Sequence, residues 1–213
     1  MKKLDLKKEL KYLYAPSAKK IEVVKVPVMK FVMIDGAIEP TLAPGISPLF
    51  QENMQALYGA AYTLKFMAKL RKDDPVDYPV MALEGLWWVE DGHFDIKIKD
   101  NWFYTVMIMQ PDLVTPEMFA EALTQLRKKK GDQPGFDRLR LDTFEEGLCV
   151  QTMHIGPYDT EPETVARMEA FATENGYTQC GKHHEIYMGN PLRADPAKLK
   201  TILRHPIIET PIP

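Results

Sequence analysis

The order of apolar, amphipathic and turn segments predicts an α+β fold made by duplication. Two strand-helix-strand-strand units form adjacent antiparallel sheets backed by helices on one side, with a central cleft between them. Three observations carry this reading. A lone glutamate sits within an aromatic and apolar run twice, in Met81-Ala82-Leu83-Glu84-Gly85-Leu86-Trp87-Trp88 and in Lys182-His183-His184-Glu185-Ile186-Tyr187-Met188-Gly189. Each run follows an amphipathic helical stretch and precedes another apolar strand-like segment. The flanking pieces recur in the same order, with Met33 to Gly36 matched by Met153 to Gly156 and Met109-Gln110-Pro111 by Arg204-His205-Pro206.

Residues 1–20 are Lys-rich and read as a short helix or arm lying on the body. From Ile21 to Ile34 the Val, Ile, Met and Phe content, broken by Pro27, predicts two short extended segments ending at Asp35-Gly36. Ser47-Pro48 caps a helix to about Leu70, with Leu57, Ala61, Leu64 and Ala68 on one stripe and Tyr58 and Tyr62 beside it. The turn Lys72-Asp73-Asp74-Pro75 leads into the first glutamate strand. After a polar segment around Glu90 to Asp100, Trp102 to Met109 forms its antiparallel neighbour. Thr115-Pro116-Glu117 opens a helix through about Lys130, whose basic end suits the negative pole of the helix dipole.

The order then repeats. Leu148 to Ile155 is a strand closed by Gly156-Pro157-Tyr158, and Thr160 with Glu163 forms a capping-box pattern before a helix that stops at Asn175-Gly176. The second glutamate strand follows, then a turn at Asp195-Pro196 and a last strand from Lys200 to Ile207. The organisation expected is an arm over 1–20 and one domain over 21–213. Its pseudo-repeats span about 21–111 and 140–208 and are joined by a helix at about 115–130.

With 27 basic and 30 acidic residues the net charge is -3, which argues against a polyanion binder, and nucleic acid is not expected as a partner. The apolar runs are shorter than the ~20 residues a membrane helix needs, and the charged start is unlike a secretory signal. A cytoplasmic protein without a membrane partner is expected. Two cysteines, Cys149 and Cys180, are too few for a disulfide scaffold and read as structural thiols. Adjacent His183 and His184 point to opposite faces of a strand, so they cannot chelate one ion together, and neither a metal nor another cofactor is expected.

Leu83-Glu84-Gly85-Leu86-Trp87-Trp88, Met107-Ile108-Met109-Gln110-Pro111, His154-Ile155-Gly156-Pro157-Tyr158 and His183-His184-Glu185-Ile186-Tyr187 resemble the GyrI-like small-molecule-binding family, in its longer, free-standing members. The resemblance implies the duplicated fold seen in effector domains of multidrug-sensing regulators and in a gyrase-inhibitory protein. It also implies a central cleft for bulky, often aromatic and cationic compounds, with Glu185 facing the ligand. Some free-standing relatives hydrolyse cyclopropane-bearing DNA-alkylating compounds within an aromatic cage, which protects the cell.

Strand alternation puts Glu84, Leu86 and Trp88 on one face and Glu185 and Tyr187 on the corresponding face of the second unit. A carboxylate among aromatic groups is costly to bury without compensation, so both glutamates are candidate ligand contacts. Trp88, Trp102, Tyr104 and Tyr62 are the cage candidates; His154 and Tyr158 suit turn-building at least as well as ligand contact. Three functions compete. One is a stand-alone binder of planar or lipophilic aromatic cations. The second is a hydrolase of strained cyclopropane-bearing alkylators in which Glu185 is catalytic. The third is a protein inhibitor of a topoisomerase.

Overall fold

The computed structural model describes residues 1–90, 94, 95, 98, 101–189 and 194–210. Most of the polar segment expected around Glu90 to Asp100 lies outside the described residues. The chain opens with β1 (Lys2–Lys3), α1 (Leu6–Glu9) and α2 (Lys11–Tyr14), then β2 (Glu22–Val26). The first unit comprises β3 (Met29–Ala37), α3 (Pro48–Lys69), β4 (Val76–Asp77), β5 (Leu83–Trp88) and β6 (Phe103–Gln110). A connector follows as α4 (Pro116–Lys130), α5 (Pro134–Arg138) and β7 (Arg140–Phe144). The second unit comprises β8 (Gly147–Ile155), α6 (Glu161–Glu174), β9 (Tyr177–Gln179), β10 (His183–Tyr187) and β11 (Lys200–Glu209).

The two units share one antiparallel sheet, with strands in the order β2-β8-β11-β10-β5-β6-β3-β7 and β9 attached to β11. The seam is the pairing of β5 with β10, the two glutamate strands. Around it the order is symmetric, and the outermost strands are exchanged. β2 precedes the first unit but pairs with β8 of the second, whereas β7 precedes the second but pairs with β3 of the first. Each unit thereby covers the other's exposed strand edge, a place where unpaired backbone groups would invite association.

The helix starts follow their caps. Ser47 and Thr115 accept hydrogen bonds from the backbone N–H groups of Phe50 and Met118, and Pro48 and Pro116 occupy a first helical position whose N–H would be unpaired anyway. The capping box expected at Thr160 does not form. Its hydroxyl donates to the Pro157 carbonyl instead, beside a single turn of tighter helix over Tyr158–Thr160. α3 packs on its sheet face through Ala56, Leu57, Ala60, Ala61, Leu64 and Ala68, all fully buried. Phe50 reaches Trp87 and Tyr104, at ring-centroid distances of 5.8 and 5.0 Å. Each such pair contributes about 0.5–1.5 kcal/mol beyond the area it buries. Among the described residues no helix is long and apolar enough to cross a membrane.

Candidate functional site

Between the helices, over the β5–β10 seam, lies a cleft of about 2220 Å³. That exceeds the ~300–1,000 Å³ of an ordinary ligand pocket, so it suits a bulky compound or leaves room for water around a smaller one. One wall is a second stripe of α3 and its C-cap: Met54, Tyr58, Tyr62 and Phe66, then Leu70 just past the helix end, recur every four residues and line it. Tyr62 and Phe66 remain 49% exposed because the cleft is what they face. Trp87, Trp102, Tyr158 and Tyr187 supply further aromatic surface, and Glu161 and Glu185 supply the acid.

Strand register decides which groups reach this space. Glu185 pairs with Gly85 and Tyr187 with Leu83, while Glu84 pairs with Ile186 and Leu86 with His184. Directly opposed residues share a face, so Glu185 and Tyr187 lie on the cleft side with Trp87, and Glu84 lies on the reverse. Gly85 is required under this contact. A Cβ there would stand 2.8 Å from Trp87 Nε1 and 3.3 Å from the Tyr187 hydroxyl oxygen. Trp87 Nε1 donates to that oxygen at 3.1 Å, and the Tyr187 hydroxyl is in turn hydrogen-bonded to Glu185. Burial, then the Glu185 charge, raise the Tyr187 pKa well above its ordinary value, so the phenol keeps its proton.

Three of the candidate side chains, Glu84, Trp88 and Tyr104, do not line the cleft. Glu84 is no part of the cleft: it is fully buried on the reverse face, where Tyr14 Oη donates to Oε1 at 2.7 Å and His184 Nε2 lies 3.1 Å from Oε2. Trp88 also faces away. It stacks on Phe103, and the Lys182 ammonium sits 3.2 Å from the centre of its ring. Trp87 stands on the cleft side instead. The other cage candidates divide. Tyr62 and Trp102 line the cleft, whereas Tyr104 is wholly buried behind the wall, filling the space left by Gly36 and accepting a hydrogen bond from Asn53 Nδ2 at 2.8 Å. Tyr158 lines the cleft edge-on to Tyr187, at 5.9 Å between ring centres. His154 holds the turn, its Nδ1 2.9 Å from Thr164 Oγ1.

The group that sequence reasoning missed is Glu161, at the start of α6 and fully buried at the cleft. Neither carboxyl oxygen has a hydrogen-bond partner of regular geometry. Burial, and after it the charge of Glu185, push its pKa up to about 9, with the nearby Thr201 hydroxyl opposing them in part. The cleft floor thus pairs a protonated carboxyl at neutral pH with Glu185, whose Oε1 lies 2.9 Å from His183 Nε2. The sequence held one signal for it, an acid three residues beyond Tyr158. The capping-box pattern at Thr160 and Glu163 concealed it.

A raised carboxyl pKa has a definite sign in folding. The folded chain holds a proton that the unfolded chain releases above the ordinary value of 4.5, so this contribution is intact below that pH and is lost as pH climbs toward about 9. The loss at pH 7 is on the order of 3 kcal/mol. Glu161→Gln should match the wild type near pH 5 and exceed it in stability progressively at higher pH, as read from urea unfolding at a series of pH values. Parallel curves for the two proteins would contradict the assignment.

The family model of the GyrI-like small molecule binding domain matches residues 19–207. A Listeria innocua protein described as uncharacterized and conserved is 44% identical, with 96% of this chain and 100% of that one covered and a TM-score of 0.86. A Listeria innocua protein described as a hydrolase is 41% identical, over 96% and 100%, with a TM-score of 0.81. The C-terminal domain of EcmrR, at 12% identity over 90% and 98% with a TM-score of 0.55, shares the fold. No protein of curated function matches the chain. The span of the family match, almost end to end, makes this chain a member of the GyrI-like small-molecule-binding family.

Proposed function

We propose that the protein is a stand-alone binder of lipophilic, aromatic, cationic compounds, held between the α3 stripe and the Trp87–Tyr187 wall. The observation that carries this reading is the placing of two buried carboxyl groups, Glu161 and Glu185, on the floor of a cleft whose walls are aromatic and aliphatic. A delocalised cation stacks on such walls for about 0.5–2 kcal/mol per ring and is drawn to Glu185. Its charge also makes ionisation of Glu161 less costly, so the second carboxyl can add to the attraction.

A second reading is favoured by the carboxyl pair itself and by the relative described as a hydrolase. Water adds to a carbon of a strained ring conjugated to a carbonyl, and its proton passes to Glu185. The ring C–C bond breaks, its electron pair moves to the carbonyl oxygen, and Glu161 delivers a proton there. The apolar walls orient the substrate and limit competing water.

The experiment is incubation with planar cationic dyes and with cyclopropane-bearing alkylators, followed by mass spectrometry. Dyes retained unchanged support binding; alkylators converted faster than in buffer, with conversion lost in Glu161→Gln, support the hydrolase. Failure to retain any dye would reject the binder.

A further inference from the structure

We propose that Glu161, His183 and Glu185 form a divalent transition-metal site at the bottom of the cleft. This goes beyond the reading of the cleft as an organic-cation site and does not depend on it. One donor atom from each residue falls within 4.8 Å of the other two, and the three side chains belong to residues only 0%, 6% and 7% exposed. A tetrahedral ion with ligand bonds of ~2.1 Å holds its donors about 3.4 Å apart, so closure asks for side-chain rotation on the order of an ångström. His183 and Glu185 share a face of β10, two positions apart, and Glu161 enters from the first turn of α6. That the adjacent His184 faces the reverse side excludes a two-histidine site. It does not bear on one histidine with two carboxylates.

Two further features point to a cation rather than to packing. The first is Glu161, fully buried with both carboxyl oxygens unpartnered and close to the other two donors. The second is the support behind His183, whose Nδ1 lies 2.6 Å from His205 Nε2 while His205 Nδ1 lies 2.8 Å from Gln179 Oε1. This holds the ring with its Nε2 on the cleft side, 2.9 Å from Glu185 Oε1, so two of the three donor atoms already converge. An imidazole held through its other nitrogen is the usual support of a histidine ligand, and here His205 is the positioning residue. One nitrogen and two carboxylate oxygens, with the remaining positions open to the cleft, suit Zn²⁺, Co²⁺ or Mn²⁺ better than the all-oxygen set preferred by Ca²⁺ or Mg²⁺.

The test is titration of the chelator-treated protein with Co²⁺, read by visible absorption, followed by displacement with Zn²⁺. The expected result is saturation at one ion per chain. Glu161→Gln and His183→Gln should each weaken it at least tenfold, and His205→Ala by roughly 10–100-fold with the spectrum retained at saturation. Glu117→Gln, at a lining residue away from the triad, should leave it unchanged. Absence of a saturable Co²⁺ signal would overturn the proposal, as would a signal that survives Glu161→Gln. That variant removes a carboxyl with no regular partner and should keep the fold, so it decides the matter even if His183→Gln proves unstable.

Discussion

Arg204→Met should lower folding stability by about 3–5 kcal/mol, seen as a fall in the urea midpoint without a change in slope. The guanidinium is fully buried on the reverse face of the sheet, where Nε donates to Gln151 Oε1 at 3.1 Å, Nη2 to the Leu13 carbonyl at 2.8 Å and Nη1 to Glu146 Oε2 at 3.4 Å. Glu146 in turn lies 3.0 Å from His184 Nδ1, and His184 Nε2 faces Glu84. Burial alone would lower the His184 pKa, but Glu146 and Glu84 outweigh it and push it up to about 9, so the ring is an imidazolium at neutral pH. Two carboxyl groups thus oppose two cations. Removing the guanidinium leaves a buried carboxylate short of its partner, which costs far more than the methionine recovers in packing. Because this network lies across the sheet from the cleft, dye binding by the folded fraction should persist. A loss below about 1 kcal/mol would mean that water reaches Glu146 and that the network is not a structural support.

The same network shows where reading the sequence stops. Helix starts at Ser47-Pro48 and Thr115-Pro116 and the repeated strand order were legible, because caps and apolar periodicity are local. That the two glutamate strands pair with each other is a finding of the structure. Alternation tells which residues of one strand share a face, but which face the helices cover is set by pairing with the next strand. Aligning Glu84 with Glu185 is one residue away from the pairing that holds, Gly85 with Glu185. That single step sends Glu84 and Trp88 to the reverse side and brings Trp87 in. Tyr14, in the arm, reaches Glu84 across a long stretch of sequence, and β2 and β7 exchange units; neither leaves a local trace. Glu161 was hidden for a different reason. Its setting at a helix start fits an acid favoured there by the helix dipole, and only the fold shows that it is buried beside another carboxyl.

The second large effect concerns Glu185. Glu185→Gln removes a charge and nearly conserves volume, so shape-dependent stacking should survive while the attraction for a cation falls. At ~4 Å and an effective dielectric near 20 that attraction is about 4 kcal/mol before desolvation, and half of it surviving in the net gives a loss of roughly 30-fold in affinity. Tyr187 and His183 would keep hydrogen-bond partners in the amide, so the scaffold should hold.

The claim that this cleft recognises lipophilic cations is tested most directly by calorimetric titration of wild type and Glu185→Gln with a planar cationic dye and a neutral ligand of the same shape. The expected result is that the wild type binds both, and that the substitution weakens the cation roughly 30-fold while leaving the neutral ligand within a few-fold. Equal weakening of the two ligands would make Glu185 a scaffold residue, and no heat with either would remove the cleft as a binding site.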